Sequence, residues 1–570
     1  MSQFVVRMNE WFFTQGLVGY KKILENYGEQ VRTTEDGIII EKKHLEQITD
    51  AFFHYYFKKY SVAEREEKKI RRLHKQFKNG DKGTKKEINT NLNEIKNKVK
   101  RDFSNSDEGK ILIEVVDRYR KEKNYHPDMD QWLETFFEML HKKDIDQKLT
   151  ANFFKAVHLN PYFGQVSFLN WTNNKKSIDE QKEIFYQDFV LPVLEEFNIY
   201  FALEDKDEKQ VMEILNKIES EHLKSLVRAL KKQKVVDEMK EYIEENIHKC
   251  ALSGFPIAIQ NFEEKIFSPL ALSVNKAINM TWNANGKQYL PISSLARLIL
   301  FCSHAGATMS QGNSVFVYYA GSFDEIYQTN QFYSDMKSGD RTFDEIIFDL
   351  VREQKLRADF LERHYLIYEY TSEYQTKKTL LDYMVMTPHV AKLFLDHSNL
   401  FQNLYPSQKS EMVRLLLKGI DSKHYINRVL REKVKNLYSS YDVIQMILIR
   451  HLNQVYAKGD FMVDSKLQKS YIWALVKSAE EVRRQINNDK KAQGIAYRLL
   501  NAVRSNDKNT FMDTVMRTYI SYDLEMPGLL LEALHEDKLD FATVGNAWIA
   551  GLISKSNNGN EVEEEETYHE

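Results

Sequence analysis

Two cysteines in 570 residues are too few for a disulfide framework. They are also too few for a zinc ribbon, which closes on four nitrogen or sulfur ligands. Proline (9) and glycine (21) are both scarce, which weighs against sandwiches and barrels and favours helices. No apolar run reaches the roughly 18 residues of a membrane-crossing helix, and no basic-then-apolar leader opens the chain. A cytoplasmic protein with no membrane partner is therefore expected. Catalytic signatures are missing as well: there is no G-x-x-x-x-G-K-[ST] loop, no H-E-x-x-H, no G-x-S-x-G and no His-Asp dipeptide. Carboxylates are numerous, but most stand beside Lys or Arg on helical surfaces, where i,i+4 pairing accounts for them. The expectation is a non-enzyme with no cofactor and no metal.

What is present is length, helical periodicity and aromatics. A chain of 570 residues exceeds a single hydrophobic core. Its 31 Tyr and 33 Phe first imply large cores and interfaces, and base-stacking platforms second. The reading is a mainly α protein, with an irregular α/β amino-terminal and central region (1–340), a helical connector (341–424), a helical bundle (425–556) and an acidic disordered tail (557–570). Near the amino end an apolar helical pattern precedes a hairpin around Val31 and residues 38–40. A helix from Lys43 then lines up Leu45, Ile48, Phe52 and Phe53. Helix runs on to Phe154 and is expected to break at Asn160-Pro161. Strands are expected at 256–262 and 315–319, and everything beyond about residue 341 reads as helix. Two stripes, Ile472/Leu475/Val476/Ala479/Val482/Ile486 and Ala492/Ile495/Ala496/Leu499/Leu500/Val503, have 3.6-residue spacing and are expected to bury one another.

Charge is unevenly spread. Residues 65–101 carry fourteen Lys/Arg against five acidic residues, with N-G-D-K-G at the centre. A solvated helical surface is the plain reading of such a run. A phosphate-tracking arm using Lys82, Lys85 and Lys86 is the sharper one, because dense cations release counterions on binding a polyanion. Three Asn-rich loops could touch base edges or backbone. They hold Asn173, Asn174, Lys175 and Lys176; Asn283, Asn285 and Lys287; and Gln311 and Asn313. For any one of them an ordinary turn is the plainer reading. Trp171, in the first loop, is either a flat contact group or a core residue. The bundle adds Arg483, Arg484, Arg498 and Arg504, with the last two opposite the apolar stripe.

Residues 250–307 hold the most informative pattern. The tetrads 250–253 (C-A-L-S) and 291–294 (P-I-S-S) stand where a C-x-x-C…C-x-x-C zinc element fits, yet three of the four ligand positions are not cysteine. His248 and His304 flank the two cysteines, but among Leu, Phe and Pro they read as ordinary histidines. Together with M-N-E-W-F-F-T-Q-G-L-V-G-Y-K-K-I-L-E (8–25), D-G-I-I-I-E (36–41), N-P-Y-F-G-Q-V-S-F-L-N (160–170), Y-R-L-L-N-A-V-R (497–504) and A-W-I-A-G-L (547–552), this element resembles the large subunit of type I-B CRISPR surveillance complexes, the Cascade family.

The resemblance implies a non-catalytic subunit at the crRNA 5′ end that contacts backbone and handle-binding subunits. Such a subunit recognises the protospacer-adjacent motif in target double-stranded DNA, supports the R-loop, and presents a surface to a helicase-nuclease. It also implies that the carboxyl-terminal bundle is like a small subunit. The chain departs from the family at its cysteines, so metal binding is not expected. A helical protein–protein adaptor without nucleic-acid readout is the alternative.

Overall fold

The computed structural model describes residues 3–81, 83–205, 207–233, 235–261, 291–310, 313–335, 342–354, 363–373, 378–459, 464–486 and 488–554. Strand β1 (Gln3–Arg7) pairs antiparallel with β3 (Gly37–Glu41), which also takes β2 (Thr33–Thr34), so the hairpin read around residues 31–40 gains a third strand. Strand β1 replaces the first residues of the expected helix. Its Q-F-V-V-R is β-branched and aromatic, a composition that suits a pleated, half-buried surface. Helix α1 (Trp11–Tyr27) follows, capped by the Glu10 carboxylate on the Phe12 and Phe13 amides. Helix α2 (Lys42–Tyr60) buries Leu45, Ile48, Phe52 and Phe53, the face read from the sequence.

Five further helices make a layer with its own core. They are α3 (Val62–Lys78), α4 (Thr84–Phe103), α5 (Asp107–Lys121), α6 (Asp128–Leu140) and α7 (Lys143–Phe154). Ile70, Leu92, Leu112, Val116, Phe136 and Leu140 sit at its centre. After α7 the chain does not break at Asn160-Pro161. A π-turn (Lys155–Leu159) leads into a short helix, Asn160–Phe163. Pro161 stands in the first turn of that helix, where a missing N–H costs nothing.

Two short strands, β4 (Gln260–Asn261) and β5 (Pro291–Ile292), pair antiparallel. A four-stranded sheet has the order β6 (Thr308–Ser310), β7 (Asn313–Tyr318), β8 (Tyr365–Glu373) and β9 (Lys378–Met386). The last two strands correct the all-helical reading beyond residue 341. Tyr365, Ile367 and Glu369 are buried while Leu366 and Tyr368 are half-exposed, a period of two rather than 3.6.

The chain divides into two units that are not collinear with the sequence. Unit 1 comprises Met1–Val317, Gly321–Ser338 and Tyr368–Asp382, and unit 2 comprises Tyr318–Ala320, Gly339–Ile367 and Tyr383–Glu570. In unit 1, α1 lies against Ser294–Phe301 and Ser303–Gly306 at backbone contact. A Cβ on Gly19 would stand 2.0 Å from the Cys302 carbonyl oxygen, so only glycine fits the G-L-V-G stretch there.

In unit 2 the two apolar stripes lie on Ser465–Gln485 and Asp489–Arg504. Both pack chiefly on the last helix, Phe541–Ile553, rather than on each other. That helix is buried on every side, with Trp548 at 0% exposure, and Gly551 lets its backbone meet the Val476 carbonyl. Among the described residues no helix is long and apolar enough to cross a membrane. The architecture is mainly α with a helical carboxyl-terminal region.

Candidate nucleic-acid interface

The basic stretch 65–101 forms α3, a turn and α4, and much of its charge is used internally. Arg71 makes a two-pronged pair with Glu134 (2.5 and 2.7 Å) and a third contact with Glu67. Lys78 and His74 hold Asp130 at 2.8 and 2.7 Å, and Lys96 holds Asp117 at 2.5 Å. Burial alone would raise the Asp130 carboxyl, but the hydrogen bonds from Lys78, His74 and Tyr125 keep it down at about 2.

Lys85 is turned inward and buried. Its amine donates to the Tyr119 carbonyl at 2.9 Å and lies 3.7 Å from the centre of the Tyr119 ring. Burial lowers it to about 8. One residue on, Lys86 faces solvent. It borders an open groove of about 630 Å³ between α4 and α5, with Asn89, Asn93, Arg120 and Lys123. Lys68, Arg72, Lys75, Lys86, Lys98 and Lys100 make no ion pair with any described residue. Lys82 lies outside the described residues.

A second groove, of about 810 Å³, lies at the carboxyl end of α4. It brings together Arg101, Lys143 and Lys148 with Trp171, Asn174 and Lys175 of the first Asn-rich loop. That loop is a 3-10 turn, Trp171–Lys175, built by its own asparagines. Asn170 accepts from the Thr172 amide and hydroxyl, and Asn173 donates to the Ser167 carbonyl at 3.1 Å. The Asn173 amide therefore serves the turn. Lys148 is buried and donates to the Lys176 carbonyl, which also accepts from Gln181, so the loop is pinned from below. Trp171 is 64% exposed, which decides its reading against the core.

Asn313 lies on β7, where its amide donates to Glu369 at 2.8 Å and its oxygen accepts from Thr371. It is engaged in the sheet. Asn283, Asn285, Lys287 and Gln311 lie outside the described residues, as does the tail 557–570. In the bundle, Arg484 and Arg504 are exposed and make no ion pair with any described residue. Arg483 is largely buried on Asp489 (2.5 Å) and the Ile486 carbonyl. Arg498 reaches Asp513 at 3.7 Å and lines a groove of about 400 Å³ with Lys491 and Arg517.

The two tetrads of the cysteine element do meet. The Ala251 amide donates to the Pro291 carbonyl (3.0 Å), the Ser253 amide points at Cys250 Sγ (3.3 Å), and the Ser253 and Ser293 hydroxyls lie 3.1 Å apart. The two tetrads thus form one knuckle, but its four ligand positions hold the Cys250 thiol, the Ser253 hydroxyl, Pro291 with no donor side chain, and a Ser294 hydroxyl turned to Glu196. That donor set does not fit a tetrahedral zinc. Among the described residues no three His, Cys, Asp or Glu side chains converge on a cation. Both cysteines are free and buried, and burial pushes the Cys302 thiol far up.

Beside the knuckle, the fully buried Glu196 caps the helix Ser294–Phe301, accepting from the Ser294 amide (3.0 Å) and hydroxyl (2.6 Å). No pattern in the sequence marks this contact across 98 residues. His222 Nε2 approaches that hydroxyl at 3.2 Å and Glu196 at 3.5 Å. A serine-protease relay would place serine and carboxylate on opposite ring nitrogens. Here both address the same one, so the cluster is a buried cap.

Comparison with known families finds one region. Residues 256–308 match the family described as CRISPR-associated protein (Cas_CXXC_CXXC). The match includes the second tetrad and Cys302 and begins beyond Cys250, and its residues 262–290 lie outside the described structure. No curated protein and no solved structure matches the chain. The matched region includes the helices Ser294–Phe301 and Ser303–Gly306, which pack at backbone contact on α1, so it belongs to the core of unit 1. Over that region the chain is similar to CRISPR-associated proteins.

Proposed function

We propose that the chain is the non-catalytic large subunit of a type I-B Cascade-like effector in antiviral defence. In this reading it works in the cytoplasm with crRNA, backbone and handle-binding subunits and small subunits. It recognises the protospacer-adjacent motif in double-stranded DNA, stabilises the R-loop and hands the target to a helicase-nuclease. Protein would read the short motif and base pairing the rest.

The observation that carries this reading is the match at 256–308, set in a core that also contains the 8–25 stretch of the resemblance. The unpaired cations of α3 and α4 add a surface suited to phosphate. Co-expression with a repeat array and the neighbouring genes should yield a crRNA-loaded complex containing this chain. That complex should bind duplex targets in a way that depends on the flanking motif and weakens with salt. A complex that assembles but binds every flank alike, with no salt dependence, favours the adaptor. Divalent-dependent cleavage by the isolated chain would replace the reading with a nuclease.

A further inference from the structure

The groove at the end of α4 has a make-up that the turn chemistry around it does not need. Trp171 exposes 64% of its surface and stacks on no ring among the described residues. Its loop is held by Asn170, Asn173, Lys148 and Gln181, so the indole is not required to shape the turn. Lys143 and Lys175 border the same groove and make no ion pair with any described residue. Arg101 is there too, its guanidinium laid on Asp102 at 3.0 and 3.1 Å.

The remaining carboxylates have a local reason. Asp144 and Asp179 stand in the first turns of α7 and of the helix Ile178–Phe185, where they complement the helix dipoles. The balance in the groove is only modestly positive. An uncovered aromatic face therefore has to supply much of any affinity.

From this groove the exposed edge of α4 leads to the other one. Lys86, Thr90, Asn93, Asn97 and Arg101 recur at three- and four-residue steps and so share a face. From Lys86 to Arg101 the helix rises about 22 Å, long enough for several nucleotides of an extended strand. Stacking on an exposed indole requires a base whose face is free, which a duplex does not offer. Lysines without partners suit a backbone that lies beside it.

We propose that this track binds single-stranded polynucleotide, with one unpaired base stacked on Trp171, phosphates on Lys143 and Lys175, and the strand continuing along α4 towards Lys86. The proposal does not depend on the CRISPR reading, since it concerns binding by the chain alone.

Labelled deoxythymidine and uridine 20-mers titrated against the purified full-length chain test it, and the two arms show whether the strand is DNA or RNA. Trp171→Ala should weaken binding roughly 5- to 100-fold while leaving the salt slope unchanged, and Trp171→Phe should retain most of it. Lys143→Ala with Lys175→Ala should instead shallow the slope by up to about 1.4, at about 0.7 per lost phosphate contact. Wild-type affinity in Trp171→Ala overturns the proposal, as does equal competition by a blunt duplex. Displacement by an unrelated acidic peptide as effective as the oligonucleotide also overturns it and makes the groove a protein site. Failure of motif-dependent duplex binding by the assembled complex, with single-strand binding intact, would remove the proposed function and leave this track standing.

Discussion

The basic helices α3 and α4 and the carboxyl-terminal bundle both looked, as sequence, like cationic faces turned to a partner. They use their charge differently. In α3 and α4 the density is high and a large share is consumed: Arg71, Lys78, Lys96 and Arg101 are paired, and Lys85 is buried against Tyr119. In the bundle cations are sparser, yet Arg484 and Arg504 stay exposed and unpaired among the described residues. A count of Lys and Arg therefore overstates both regions, since Arg483 and Arg498 of the bundle are paired as well. Helices α3 and α4 still leave Lys68, Arg72, Lys75, Lys86, Lys98 and Lys100 without an ion pair among the described residues. What matters is which side of the helix each cation occupies and whether a carboxylate from another helix reaches it.

The largest expected effect is in unit 2 and involves a cation that no sequence pattern marked. Arg450 is buried between Asp421 (2.5 and 2.8 Å) and Asp540 (2.9 and 2.6 Å), and it also donates to Thr543. Asp540 caps the buried helix Phe541–Ile553, and its carboxyl is held far down, its own burial opposed by the Arg450 contacts. Arg450→Ala should cost about 3 kcal/mol, because it leaves two carboxylates facing each other without their cation. Urea unfolding monitored by circular dichroism would show it. A loss below about 1 kcal/mol would mean that solvent already screens the triad.

The two units can also be compared through acid. His158 in unit 1 and His397 in unit 2 are both held down at about 4 from 6.5, first by burial and then by nearby lysines (joined at His158 by Arg65), with Asp396 acting in the opposite direction at His397. Above pH 6.5 neither state takes up a proton at these rings, so stability is flat with respect to them. As pH falls from about 6.5 to 4 the unfolded chain binds protons that the folded chain refuses, and stability drops. Thermal unfolding across this window should fall for wild type and flatten in part with His158→Gln or His397→Gln. Identical curves for all three proteins would place the acid sensitivity elsewhere.

The smallest effect separates two neighbouring lysines. Lys86→Ala should shallow the salt dependence of duplex DNA binding by up to about 0.9. Lys85→Met should leave it unchanged, since its amine is occupied by the Tyr119 carbonyl. Equal slopes for the two variants would erase the distinction between the inner and outer faces of α4.

Much of the helical architecture was legible from residues alone. The α2 face and the stripes from Ile472 and Ala492 are periodic, and a period survives whatever partner covers it. The partner itself was not legible. Both stripes meet Phe541–Ile553, a helix so uniformly apolar that it has no face to read. Strands β8 and β9 were missed because their short apolar runs, of nine residues each, suit a helix as well as a strand. At the candidate interface, loop chemistry pointed to residues 170–176, but only the tertiary fold sets Trp171 beside Arg101, seventy residues away in sequence. Lys85 and Lys86 differ by a single 100° step around the helix, and no composition window resolves that.

The close approach of Gly19 to Cys302 has a practical consequence. Both cysteines of the chain lie in unit 1 and both are buried, Cys302 with its backbone carbonyl against Gly19 of α1. A thiol reagent added to the native protein can therefore react only when unit 1 opens, while unit 2 is silent to it. The chain carries its own clock for the opening of one unit, with no introduced label. Cys302 would report separation of α1 from Ser303–Gly306, and Cys250 the loosening of the knuckle at Ser253 and Ser293.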